Sequence, residues 1–90
     1  MTSSEAPNSE ALKTLTDQEL DGAIIAAHEA GGRASDLVEL YREAASRKLS
    51  AGDNEAAGFL MTQAYVFALE CHHPQRDILR DWLVARGREA

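Results

Sequence analysis

The sequence predicts an all-α domain, with four helices packed as an antiparallel bundle. Three observations carry that expectation. Apolar residues recur at the 3.6-residue helical period in four successive segments. Each segment is bounded by recognisable helix start and stop signals. No segment alternates apolar and polar residues as a half-buried strand would. A chain of 90 residues makes one small domain, and a chain this short buries roughly two-thirds or less of its unfolded surface.

Residues 1–14 are expected to form a flexible tail and residues 15–90 the single helical domain. Thr2 to Ser9 holds only Thr, Ser, Glu, Ala, Pro and Asn, with nothing to bury. Met1 to Glu10 has neither the basic start nor the apolar stretch of a signal peptide.

The first helix announces itself at Leu15-Thr16-Asp17-Gln18-Glu19-Leu20. Thr16 can accept from the free amides of the first turn, and Glu19 can reach back to the Thr16 amide, which makes a capping box. Leu15 and Leu20 flank it as a hydrophobic staple, and Asp17 and Glu19 suit the positive end of the helix dipole. Leu20, Ala23, Ile24 and Ala27 follow at helical spacing, and Gly31-Gly32 stops the run.

Ser35 is the expected N-cap of the second helix, with Asp36 in its first turn. Leu37, Leu40, Tyr41, Ala44, Ala45 and Leu49 form its apolar stripe. Glu39, Arg42, Glu43 and Arg47 lie off that stripe, and Glu43 and Arg47 are a favourable i,i+4 pair. Gly52 stops this helix, and Asp53 or Asn54 caps the next.

The third helix, about Asn54 to His72, carries Ala57, Leu60, Met61, Ala64, Phe67, Ala68 and Cys71 on one face. Phe59, Val66 and Leu69 fall on other sides, so this helix is either central to the bundle or has a second face for a partner. His73-Pro74 breaks the chain. From Gln75 a fourth helix places Ile78, Leu79, Trp82 and Leu83 on one side, with Arg76, Arg80 and Arg86 around it, and ends at Gly87.

A net charge of −6 opposes a sequence-independent grip on phosphate backbones. Arg76 and Arg80 could meet phosphates, making the fourth helix the alternative site of weak nucleic-acid binding. Asp77 and Asp81 beside them neutralise much of that field. No apolar run is long enough to cross a bilayer. Cys71 is the only cysteine, and an unpaired thiol fits a reducing, cytoplasmic setting.

Glu70-Cys71-His72-His73 contains zinc-ligand chemistry, and with His28 it offers an alternative reading as a metal- or thiol-responsive regulator. Successive helical residues point about 100° apart, however, which keeps neighbouring side chains from converging on one ion. A Cys–His nucleophile meets the same obstacle, and no Gly-rich turn builds an oxyanion or phosphate site. Gly31-Gly32 follows a helix where a phosphate loop would precede one. No catalytic, metal-binding or cofactor-binding residue is expected, and no enzymatic activity.

The run from Tyr41 to Tyr65 reads as two helices joined by a tight turn at Gly52-Asp53. It resembles a tetratricopeptide repeat, a helix–turn–helix unit of about thirty-four residues. Tyr41 stands at the early aromatic position and Ala44-Ala45 at the usual large–small pair. Gly52-Asp53 matches the turn, Ala57 the small residue of the second helix, Leu60-Met61 the bulky pair and Ala64 the later alanine. The match spans about residues 38 to 71. Lys48 replaces a usual aromatic, Ala44 a usual leucine, the terminal proline arrives about five residues late as Pro74, and one unit is present where arrays have several.

The resemblance implies protein or peptide binding, with the first helix of the pair lining the contact face at Glu39, Arg42, Glu43 and Ser46. Phe59 and Trp82 add two aromatic candidates. Trp82 either locks the fourth helix onto the hairpin or anchors an interface, where Trp is enriched. The expected function is a non-enzymatic protein–protein interaction module, a small helical adaptor that binds a partner or a second copy of itself as a symmetric dimer.

Overall fold

The computed structural model describes residues 9–87. The described residues are helical throughout, without strands: α1 (Ser9–Leu12), α2 (Asp17–Glu29), α3 (Ala34–Ser50), α4 (Asn54–Glu70) and α5 (Arg76–Ala85). The four longer helices answer to the four expected from sequence.

α2 starts as its capping box requires: the Glu19 amide donates to Thr16 Oγ1 at 3.1 Å and the Thr16 amide to Glu19 Oε1 at 2.8 Å. α3 starts differently from expectation. Its N-cap is Arg33, in extended conformation and without a side-chain cap bond, so Ser35 lies inside the first turn. Asp53 caps α4, with Oδ1 accepting from the Ala56 amide at 3.1 Å.

Among the described residues each longer helix is followed by a left-handed residue, Gly87 after α5 included. Gly31 closes α2 at φ 67° and Gly52 closes α3 at φ 83°. Each motif satisfies two orphan carbonyls: the Gly52 amide donates to the Leu49 carbonyl at 3.0 Å and the Asp53 amide to the Lys48 carbonyl at 2.8 Å. α4 closes likewise, the His73 amide donating to the Ala68 carbonyl at 2.9 Å. There the left-handed residue is His72, at φ 52°, where an L side chain is strained. This turn ends α4 at Glu70, short of the expected His72.

α3 is the shared wall of two apolar clusters. On one side Leu37, Leu40 and Ala44 meet Leu20 of α2 and Leu12 of α1, with Leu60 and Phe67 of α4 at the margin. On the other, Val38 meets Ala64 and Ala68 of α4 and Leu79 of α5. Each longer helix packs on its neighbour in sequence, most extensively α3 on α4. α2 and α3 run in opposite senses, since Asp17 at the start of α2 reaches Arg47 near the end of α3 while His28 reaches Tyr41.

Of the expected tail through residue 14, the first eight positions lie outside the described residues, and Ser9–Leu12 forms the short helix α1. Leu12 is only 4% exposed, because the groove between α2 and α3 accepts it. Arg47 Nη2 donates to the Leu12 carbonyl at 3.0 Å, fastening α1 to α3.

Candidate functional site

The polar face of α3 brings the expected residues together. Glu39, Arg42, Glu43 and Ser46 line one cleft of about 100 Å³, closed by Lys13 from the segment after α1. Their spacing places them on one side of the helix, and their charges are turned on one another. Arg42 Nη1 lies 3.4 Å from Glu39 Oε1. Glu43 meets Arg47 Nε at 3.0 Å and Lys13 Nζ at 3.8 Å.

Arg47 gathers three elements. Besides Glu43 and the Leu12 carbonyl it donates to Asp17 Oδ1 at 2.8 Å. The hydrogen bond from Asp17 first, and that from Glu43 second, hold its guanidinium above the ordinary arginine range. A second depression of about 110 Å³ lies between Leu20, Ala44 and Arg47; these groups are those that tie α2 to α3.

Glu39, on the rim of the polar cleft, also meets a histidine from the turn after α4. His73 Nε2 lies 3.3 Å from Glu39 Oε2, while His73 Nδ1 accepts from the Gln75 amide at 3.1 Å. An Nδ1 that accepts leaves the proton on Nε2, so the neutral ring donates to Glu39. His72 faces elsewhere, with Nδ1 3.3 Å from Arg76 Nη1. His28 is taken up by an aromatic cluster, its Nε2 2.9 Å from the Tyr41 hydroxyl and its ring centroid 5.6 Å from that of Phe67. Half-buried Cys71 places Sγ 4.0 Å from the Ala68 carbonyl. The Cys71, His72, His73 and His28 set is thus dispersed, and the described residues hold no group of three His, Cys, Asp or Glu placed to bind a metal. Arg76 also meets Asp77 at 3.8 Å. Arg80 is exposed.

The apolar candidates separate. Phe59 is 61% exposed, and Val66 and Leu69 are 42% and 46% exposed on the same helix. Phe59 and Val66 are seven residues apart, which aligns them within about 20° around the axis. They stand opposite the buried Ala57, Ala64 and Ala68. Glu55 and Glu70 lie one turn beyond the two ends of this stripe, and the chain has no lysine or arginine between Lys48 and Arg76. Trp82 is half-buried beneath Arg86, whose guanidinium carbon sits 3.9 Å from the ring centroid. Ile78, expected on the packed side of α5, is instead 62% exposed. Leu79 and Leu83 take the buried face, which turns Ile78 outward about 100° away.

Sequence spacing identified the α3 set and the apolar surplus of α4. Lys13 joins the cleft and His73 meets Glu39 through contacts across the fold, which no local pattern announces. No helix among the described residues is long and apolar enough to cross a membrane. No protein-family model, curated protein or solved structure matches the chain.

Proposed function

We propose that the chain is a non-enzymatic protein–protein interaction module, a small helical adaptor whose contact surface centres on the outer face of α4. The observation that carries this reading is the exposed pair Phe59 and Val66 on the side of α4 opposite its buried Ala57, Ala64 and Ala68. Exposed bulky apolar residues grouped on one element mark contact surfaces, whereas scattered single ones do not. The polar cleft at Glu39, Arg42, Glu43 and Ser46 is a less favourable contact site, because a partner would compete with its internal ion pairs.

The proposal includes the resemblance to a tetratricopeptide repeat, with residues 38–71 as one such hairpin inside an antiparallel bundle. Support comes from the three-residue connection between α3 and α4 and from the buried Ala44, Ala45, Ala57 and Ala64 of the pair. A cytoplasmic setting belongs to the same reading and rests on the single thiol of Cys71.

Site-specific photo-crosslinking in cells tests it. A photoreactive side chain at position 59 or 66 is expected to give discrete protein adducts, and the same group at exposed position 21 on α2 to give none. Adducts no more frequent from 59 and 66 than from 21 would remove the reading.

A further inference from the structure

The geometry points to one class of occupant for the outer face of α4: a cationic amphipathic helix of about four turns, apolar along its centre and basic at both ends. This rests on the interaction reading above and specifies the partner's chemistry. The stripe runs Glu55, Phe59, Thr62 with Gln63, Val66, Glu70, so two apolar side chains, one on either side of a polar turn, are bracketed by two carboxylates. Both glutamates are exposed. At 1.5 Å per residue the carboxylates stand about 22 Å apart along the axis. An apolar pair seven residues apart matches the contact spacing of a helix laid alongside.

Charge decides between occupants. α4 carries no cation, and Asp53, at its N-cap, adds a further carboxylate at that end. A second copy laid antiparallel on the stripe brings Phe59 opposite the other copy's Val66, but it also brings Glu55 opposite Glu70 at both ends. A parallel copy sets each glutamate against its own counterpart. Like charges across an interface suppress association, while a lysine or arginine at each end of a partner helix converts the same positions into complementary contacts. The bracketing also sets register, because only one offset satisfies both ends and the apolar centre together.

The test uses the full chain and two fluorescein-labelled amphipathic peptides of about 18 residues. They are identical in their leucine and alanine positions, one with lysines at both ends and one with glutamates. Fluorescence anisotropy is expected to show the lysine peptide binding at least about tenfold tighter than the glutamate peptide, with the gap narrowing as salt rises. Phe59→Ser with Val66→Ser should weaken the lysine peptide about tenfold or more, and Glu55→Lys with Glu70→Lys should invert the preference. Asp21→Lys with Glu29→Lys changes net charge equally on α2 and should leave the preference in place; circular dichroism verifies that each variant is folded. Equal affinity for the two peptides, or inversion by the α2 variant as well, would overturn the assignment. Adducts from positions 59 and 66 alongside equal peptide affinities would keep the interaction reading and reject this occupant. A concentration-dependent dimer that Phe59→Ser dissolves would likewise overturn it, in favour of a second copy.

Discussion

The two faces of α4 invert the usual distribution of size. The most deeply buried positions toward the core are small, with Ala57, Ala64 and Ala68 fully buried and Gly58 buried among them, while Leu60, Met61 and Phe67 pack half-buried beside them. The face toward solvent is large, with Phe59, Val66 and Leu69 exposed. A helix selected only to stabilise a bundle would place its bulk inward, where each fully buried large apolar side chain contributes about 1.5–3 kcal/mol. Small inward residues serve a different purpose, the close approach of backbones. α4 consequently lies tightly on α3, with Leu60, Met61, Tyr65 and Phe67 packing at the edges of the two clusters while Phe59, Val66 and Leu69 stay exposed. The difference teaches that burial and apolarity answer to separate demands on one helix.

The largest expected effect strikes the inner face. Leu79, 1% exposed, packs on Ala64, Ala68 and Val38 and supplies the bulk those residues lack. Leu79→Ala should cost about 2–5 kcal/mol in urea denaturation, and a cost comparable to a surface change would break the comparison. Filling the inner face from the other side is the next test. Ala64→Leu is expected to cost about 1–3 kcal/mol through overpacking; a stabilised variant would mean that the helices have room to separate.

At the end of α4, His72→Gly should raise stability by about 1 kcal/mol, because glycine adopts the left-handed turn without the side-chain penalty. Thermal melting reads this directly, and a lowered Tm would show that the His72–Arg76 contact outweighs the strain. On the outer face, Phe59→Ser should shift stability by no more than about 0.5 kcal/mol. A loss near that of Leu79→Ala would place Phe59 in the core's energetics and abolish the contrast.

The smallest effect is a pH dependence. Burial raises the Tyr41 hydroxyl above the ordinary tyrosine value, and the Asp17 and Glu43 hydrogen bonds raise Arg47. Both shifts have the same sign: the folded state holds its protons longer than the unfolded chain. Their contribution is complete below the unfolded pKa values and is lost as pH rises from those values through the higher folded ones. Chemical denaturation should therefore show declining stability from about pH 10 upward, and Tyr41→Phe should flatten the first part of that decline.

Local signals were legible where one turn of chain contained the whole interaction. Thr16 and Glu19 satisfy each other within three residues, and Gly31 and Gly52 supply their own left-handed conformation, so helix boundaries follow from neighbours. Ser35 misled because its side chain suits a cap, yet the Gly31-Gly32 turn releases the chain extended at Arg33, two residues too early for Ser35 to serve. α1 was invisible for the opposite reason. Leu12 has no helical signal of its own and is ordered by a groove that α2 and α3 create together.

The candidate site divides in the same way. Periodicity alone grouped Glu39, Arg42, Glu43 and Ser46, and it set Phe59, Val66 and Leu69 apart from the alanine face. Tertiary packing supplied Lys13 to the polar cleft, brought His73 to Glu39, turned Ile78 outward and left Trp82 at the margin of the core under Arg86.

By itself, the sequence determined the all-helical class, the capped starts of α2 and α4, the glycine stops and the apolar surplus of α4, because each depends on groups a few residues apart on one helix. Only the tertiary structure decided which apolar face is covered. A helix presents its side chains in every direction at once, and it is the neighbour lying within contact distance that turns one direction into core and leaves another as surface.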